Sequence, residues 1–238
     1  MRVSLVPMVL SITILFSTCT IEQKLVLGSE YSGVWTLEGR LMSFAGDALE
    51  DLAILGGYDN SDAFYDEAIS KTLASLGERT DIENYKIERV GKHGWMADAE
   101  FKDIKSLLGD AAFGGIADIY QNGDTHVLSL RFNRSRAAEL ENLFPMIKEP
   151  AFSLLNPASS EGFSEEEYTT EILGFTFGEE NLPALRRAMM VLSITVSGTV
   201  ITVEGGEKLS ENSVRFEVPF TRFLVPEKEI FWLVSWID

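Results

Sequence analysis

Apolar positions in the C-terminal third alternate with polar ones in the period of two that is typical of β-strands. Two runs there are apolar at their even positions, which predicts strands with one buried face. Residues 230–236 are apolar at both parities, and this pattern predicts a central strand that is covered on both sides. The even-numbered apolar residues of the two runs are Met190, Leu192, Ile194 and Val196, then Val214, Phe216, Val218 and Phe220.

The parity of the apolar positions changes between these two runs. It is even up to Val196, and the next apolar positions that alternate, Ile201 and Val203, are odd. A β-bulge adds one residue and a tight hairpin reverses the chain, and either of them changes the parity. The sequence therefore predicts a bulge or a hairpin at Ser197-Gly198.

Strands are also predicted in the first half of the chain. Residues 34–43 alternate, with Trp35, Leu37 and Leu41 on one side. Residues 85–101 have the pattern of a hairpin whose loop, residues 91–94, places His93 at an exposed tip. Residues 125–132 form a further strand, with an apolar face that includes His126.

Other segments have apolar residues at helical spacing. Residues 48–55 stop at Gly56-Gly57, and residues 61–76 stop at Gly77, a residue type that favours the position after a helix. Residues 134–147 carry an apolar stripe. Ser164, with Glu167 three positions later, has the spacing of a capping box, so we expect a helix to begin there.

This order of strands, helices and strands predicts an α+β fold. We expect an antiparallel sheet with the helices segregated to one face or end, and the pattern leaves open whether the sheet is barrel-like. The 238 residues suit a short leader followed by one domain. We therefore expect a single domain over residues 19–238.

The leader has the features of an export signal. Arg2 is followed by an apolar stretch over residues 3–16, which has signal-peptide length and is too short to span a bilayer. The stretch runs into Phe16-Ser17-Thr18-Cys19, which resembles the lipobox of bacterial lipoproteins, in the looser form that is familiar in spirochaetes. The resemblance implies a signal peptide over residues 1–18 and a lipid on Cys19 that incorporates palmitate. It also implies a place in the bacterial cell envelope, on the inner or the outer membrane. Ordinary cleavage nearby and an uncleaved anchor are the alternatives.

Charge and cysteine content narrow the classes of function. The formal net charge is −17 at pH 7 and no basic run interrupts the acidic balance, so we expect no nucleic-acid partner. The chain has one cysteine, which excludes an internal disulfide and a thiolate zinc cluster. It has two histidines, and we interpret His93 as a turn residue and His126 as a hydrogen-bonded strand residue.

No sequence motif indicates catalysis. The nucleophile elbow, the Walker phosphate loop and the dinucleotide-binding glycine fingerprint do not occur in the sequence. The acidic clusters at residues 165–167 and 179–180 suit first turns of helices, where carboxylates complement the helix dipole. We therefore expect no enzyme activity, no metal and no cofactor.

The chain has more aromatic residues and glycines than a packed core obviously requires, and this excess indicates a site for an apolar ligand. Residues 111–120 are apolar and contain glycine, and they would act as a movable cover for a cavity beside the last strand. We expect this cavity to bind a lipid or another apolar envelope component. The alternative is a structural or protein-interaction lipoprotein with a filled core and an unidentified protein partner. The residues predicted to line the cavity are Trp35, Trp95, Phe113, Trp232 and Trp236.

The C-terminal third resembles a known family. Residues 192–201, Gly205-Gly206 and residues 213–220 resemble the end of LppM-like lipoprotein domains, in which a strand runs into a glycine turn and a returning strand ends in an aromatic residue. The resemblance implies an exported, membrane-tethered α+β domain that binds lipids or glycolipids, and it offers no catalytic residues. The acidic balance of this chain and its longer helical insertions depart from that pattern.

Overall fold

The computed structural model describes residues 20–108, 115–137 and 155–238. Its strands are β1 (Thr20–Leu27), β2 (Gly33–Arg40), β3 (Ile82–Arg89), β4 (Gly94–Phe101), β5 (Ala117–Asn122), β6 (Thr125–Phe132), β7 (Met189–Val196), β8 (Thr199–Glu204), β9 (Gly206–Lys208), β10 (Ser213–Pro219) and β11 (Ile230–Ile237). Its α-helices are α1 (Ser43–Leu55), α2 (Ser61–Gly77), α3 (Ile104–Leu108), α4 (Arg134–Ala137), α5 (Glu165–Glu167), α6 (Gly174–Phe177), α7 (Leu182–Leu185) and α8 (Phe220–Leu224). A π-helical segment, Tyr168–Leu173, joins α5 to α6.

The described strands form two sheets. The seven-stranded sheet has the order β3-β4-β2-β1-β7-β10-β9, and the four-stranded sheet has the order β5-β6-β11-β8. Strand β1 is antiparallel to β2 and parallel to β7, while the other pairs are antiparallel. The predicted α+β class with a largely antiparallel sheet is confirmed, and these strands do not close into a barrel.

One hydrophobic core lies between the two sheets, and we call it the inter-sheet core. The predicted even-numbered faces of β7 and β10 point into it, since Ile194, Val214 and Phe216 are fully buried there. The four-stranded sheet contributes Val234 and Trp236 from the opposite side. The alternation in the sequence therefore identified the buried faces of these strands correctly.

Most of the helices gather at one end of the sheets, as predicted, and we call this the helical end; α3 lies at the other end, where Ile104 enters the inter-sheet core. Thr20, the first residue of β1, lies beside Arg40 at the end of β2 and beside Met189 at the start of β7. From Arg40 the chain passes into α1, and from Pro219 at the end of β10 it passes into α8. A second core, the helical-end core, forms there from residues such as Leu49, Leu173 and Leu224.

Local polar contacts set the helix starts. The Asn60 side chain accepts a hydrogen bond from the backbone N–H of Ala63 at 2.8 Å and caps α2. The predicted capping box is confirmed, since the Ser164 hydroxyl accepts from the N–H of Glu167 and the Glu167 carboxylate accepts from the N–H of Ser164. The Ser164 hydroxyl also donates to the Glu167 carboxylate at 2.7 Å, and this bond, together with the one from the Ser164 N–H, lowers the pKa of the Glu167 carboxyl. Of the helix predicted over residues 134–147, only α4 lies within the described residues.

The parity change at Ser197-Gly198 has a different cause from the two that were predicted. Strand β7 belongs to the seven-stranded sheet and β8 to the four-stranded sheet, so the chain turns a corner from one sheet to the other. Val200 is therefore buried in the inter-sheet core, whereas Ile201 is 54% exposed. The expectation of a hairpin or bulge at this point was wrong, because alternation cannot show that two strands lie in different sheets.

The corner places Gly198 against the backbone of the last strand. A Cβ atom on Gly198 would lie 1.9 Å from the carbonyl oxygen of Ile237, which is shorter than any real contact. We expect Gly198→Ala to lower the free energy of unfolding by about 1–3 kcal/mol, because the end of β11 must shift. Urea unfolding followed by circular dichroism measures this change.

Ser197→Ala is the matched control, since it removes only an exposed hydroxyl that donates to the Asp238 carboxylate at 2.6 Å. We expect its effect to stay within about 0.5 kcal/mol. Equal stability of Gly198→Ala and the wild-type chain would contradict the close approach at this corner.

Candidate functional site

A depression of about 570 Å³ opens on the four-stranded sheet. Asp118, Ser129 and Leu233 are register neighbours on β5, β6 and β11, and all three line it. Leu128 and Val234, their chain neighbours, point into the inter-sheet core, so the depression lies on the opposite, outer face of this sheet. The other residues around it are Leu108, Gly115, Ile116, Ala117, Tyr120, Arg131 and Arg136.

Strand β11 borders the depression through Leu233 and presents apolar side chains on both faces. Strand β11 lies between β6 and β8, which confirms the predicted central position. Its inner face carries Val234 and Trp236 into the inter-sheet core. Its outer face carries Phe231 and Leu233, which remain partly exposed. The packing of the two sheets therefore buries the inner apolar face of this strand and does not bury the outer one.

Two arginines edge the depression. The Arg136 guanidinium donates to the carbonyl oxygen of Gly115 and, at 3.4 Å, to that of Arg131. The Arg131 guanidinium lies over the Phe231 ring, 4.7 Å from its centroid, in a cation–π contact. Gly115 has φ of 76°, a left-handed conformation that favours glycine. The arrangement joins apolar side chains to cationic groups, which suits a molecule with an apolar part and a polar part.

None of the described tryptophans predicted to line a cavity lies at this depression. Trp236 is 2% exposed and belongs to the inter-sheet core, and Trp35 packs against that core. Trp95 packs against the helical-end core, and Trp232 contacts both cores. The four indoles are thus divided between two cores. Phe113 and Cys19 lie outside the described residues.

His126 is a buried strand residue with polar partners on both ring nitrogens. Its Nδ1 is hydrogen-bonded to the Tyr31 hydroxyl, and its Nε2 lies 3.4 Å from a carboxylate oxygen of Asp238. The imidazole stacks on Trp236 with ring centroids 5.3 Å apart. Tyr31 holds φ of 62°, which is unusual for a bulky residue, and Lys105 covers its ring at 3.7 Å. These contacts close the sheet sandwich at the end opposite the helical end.

His93 is not the exposed tip that the sequence predicted. Its backbone lies in the β3–β4 turn, but its ring packs onto Gly46 of α1, where a Cβ atom would lie 2.3 Å from Nδ1. The ring nitrogens lie 3.3 Å from the Asp47 carboxylate and 3.5 Å from that of Glu50. A hydrogen bond from Lys92 lowers the pKa of Asp47. The prediction failed because the loop folds back onto a helix that is distant in sequence.

The arrangement around His93 is not that of a metal site. Within residues 20–108, 115–137 and 155–238, no group of three or more histidine, cysteine, aspartate or glutamate side chains is placed to hold a metal ion. Helices in this part of the chain are also too short or too polar to cross a membrane.

Sequence reasoning missed the residues that edge the depression. Val127, Ser129 and Arg131 are the odd-numbered positions of β6, whose even-numbered face was recognised as apolar. The available signal for the depression was Arg131, which faces outward from β6 beside the apolar strand β11. Leu108 and Arg136 reach the depression only through tertiary contacts, so no local pattern indicates them.

Comparison with known proteins adds little beyond these contacts. No protein-family model matches the chain, and no curated protein matches it. The NMR structure of the folded domain of LppM from Mycobacterium tuberculosis is similar with a TM-score of 0.43 and 7% sequence identity, over 92% of this chain and 90% of that chain. A TM-score and an identity this low support no conclusion about function.

The contacts of His126 predict its effect on stability. We expect His126→Ala to lower the free energy of unfolding by about 1–3 kcal/mol, because the buried hydroxyl of Tyr31 loses its partner. Chemical denaturation at constant pH measures the change. Tyr31→Phe removes the same hydrogen bond and leaves the stack on Trp236 in place, so we expect it to destabilise the protein less. A His126→Ala chain as stable as the wild type would contradict this account.

Proposed function

We propose that the protein is an exported lipoprotein of the bacterial cell envelope, anchored at Cys19, which binds an amphiphilic lipid in the depression on the four-stranded sheet. It acts without catalysis. The observation that carries the ligand-binding part is the outer face of β11, where Leu233 faces a depression of about 570 Å³ edged by Arg131 and Arg136.

The support for the anchor comes from the sequence around Cys19. It is the one cysteine of the chain, and it follows directly on an apolar stretch of signal-peptide length. Thr20, the next residue, is the first residue of β1. Cleavage before Cys19 would therefore remove the leader and leave β1 intact.

The support for the ligand comes from the size and lining of the depression. Ligand sites in proteins have volumes of roughly 300–1,000 Å³, and this depression falls within that range. Leu108, Ile116 and Leu233 offer contacts to an acyl chain, while Arg131 and Arg136 offer hydrogen-bond donors to a polar group. Burial of eight methylenes would contribute roughly 6 kcal/mol before the costs of binding are subtracted.

A second candidate function is a structural or protein-interaction lipoprotein without a ligand. The packing of the tryptophans favours it, since Trp236 is buried and Trp232 stacks on Phe216 with centroids 5.3 Å apart. Both indoles therefore pack within the inter-sheet core instead of lining a depression on the surface. The two candidates share the lipid anchor and differ in the occupant of the depression.

Acylation at Cys19 predicts the result of a labelling experiment. Radiolabelled palmitate should enter the wild-type protein in growing bacteria, and Cys19→Ala should remain unlabelled, because the thiol is the attachment point. Gel autoradiography and mapping of the mature N-terminus measure this. Equal labelling of both chains, or a mature N-terminus at another residue, would contradict the anchor.

Ligand binding predicts a lipid adduct on the purified protein. Native mass spectrometry of the chain from Cys19 to Asp238 should show added mass that organic extraction releases. Leu233→Glu should lose the adduct, because a carboxylate would then replace the apolar side chain that β11 presents to the depression. Ile237→Glu is the matched control, since Ile237 lies on the same face of β11 and outside the depression. A bare mass for the wild-type chain would favour the second candidate.

A further inference from the structure

We infer that the helical end of the domain lies against a lipid bilayer and that Phe175 enters the boundary between headgroups and acyl chains. The inference rests on the proposed acylation of Cys19. It adds which surface of the domain meets the membrane and which kind of bilayer that surface fits.

The length of chain between the proposed anchor and the fold sets the first constraint. Cys19 and Thr20 are consecutive, so their Cα atoms lie about 3.8 Å apart. Thr20 is hydrogen-bonded into the sheet between Arg40 and Met189. An acyl chain on Cys19 would therefore leave the domain at the helical end with no intervening linker, and this end would be held at the bilayer surface.

The most exposed apolar side chains provide the second constraint. Among the large apolar residues within the described ranges, Phe175 at 91% and Leu55 at 84% are the most exposed. Both belong to helices that pack on the helical-end core. The exposure of Phe175 is built into α6, because Leu173 and Phe177 are buried on either side of it and Phe177 packs edge-to-face on Phe44.

Contacts connect α6 to the end of the strand that would follow the anchor. Arg40 pairs with Thr20, and Phe44 lies four residues after Arg40 with its ring centroid 6.4 Å from that of Phe177 in α6. Leu55 ends the helix that contains Phe44, about three turns farther along. An apolar residue beside a lipid anchor adds to membrane affinity, since one acyl chain alone gives only marginal, reversible binding.

The charge of the domain favours one kind of bilayer. Glu171 lies before α6 and Glu179 and Glu180 lie after it, beyond Gly178, and all three are exposed, as are Arg40, Arg186 and Arg187 at the same end. The formal net charge of the chain is −17, so a surface rich in anionic lipids would repel the domain. The helical end therefore fits a zwitterionic surface, such as phosphatidylcholine, better than one that contains phosphatidylglycerol.

The single cysteine allows a direct test. The chain from Cys19 to Asp238, which contains every residue of both cores, would be coupled through the Cys19 thiol to one palmitoyl chain. Sedimentation with phosphatidylcholine vesicles gives its partition coefficient. We expect Phe175→Ser to lower this coefficient about five- to tenfold, because the phenyl ring no longer leaves water. Adding phosphatidylglycerol to the vesicles should weaken binding of the wild-type conjugate.

Leu209→Ser is the matched control. Leu209 is an exposed apolar residue beside Ser213, at the opposite end of the seven-stranded sheet, and we expect no change in partition. An indole introduced by Phe175→Trp should be quenched by brominated acyl chains, and one introduced by Leu209→Trp should not. Melting curves establish that each variant is folded.

The outcomes separate this inference from the proposed function. Equal partition of Phe175→Ser and Leu209→Ser, or equal quenching of the two indoles, would overturn the bilayer contact and leave acylation standing. Self-association of the conjugate that Phe175→Ser abolishes, without any effect on vesicle binding, would assign the surface to a second copy and also overturn it. Failure of palmitate labelling in bacteria would remove the anchor itself.

Discussion

The pairing of strand β1 on both of its edges holds the two halves of the chain together. Strand β1 is hydrogen-bonded to β2, its neighbour in sequence, and to β7, which lies in the C-terminal third. The same strand spans both cores, since Leu27 is buried between the sheets and Ile21 packs at the helical end. A parallel pair cannot be closed by a short turn, so everything between the two strands forms the crossover that joins them. The hairpin β3–β4, the first strands of the second sheet and most of the helices belong to this crossover.

The second organising feature is the change of sheet at Gly198. The last strand, β11, then completes the four-stranded sheet. Strand β8 pairs with β11 in the four-stranded sheet, although β7 before it and β9 and β10 after it belong to the seven-stranded one. This arrangement gives β11 two functions. Its inner face completes the inter-sheet core through Val234 and Trp236, and its outer face supplies Leu233 to the depression. The candidate site is thus a consequence of how the core is closed.

Local patterns in the sequence predicted the features that depend on neighbouring residues. The alternation around Ile194 and Phe216, the capping box at Ser164 and the buried state of His126 follow from contacts or periods within a few positions. The features that the sequence patterns missed depend on partners that are distant in sequence. Gly198 marks a change of sheet, His93 packs on Gly46, and the tryptophans separate into two cores. Side-chain period identifies a buried face, but it does not identify the element that buries it. Arg131 was a local signal for the outer face of β6, whereas the side of the depression formed by Leu108 and Arg136 could not be predicted.

The parallel pair of β1 and β7 also has a kinetic meaning. Strand β1 is made early in synthesis, and the strand that completes its pairing is made only when most of the chain exists. Contacts between such distant positions require a large loop to close, which makes folding slow. Until β7 is made, one edge of β1 lacks its native partner, and the inter-sheet core lacks Leu192 and Ile194. The last third of the chain must therefore be made before either core can be completed.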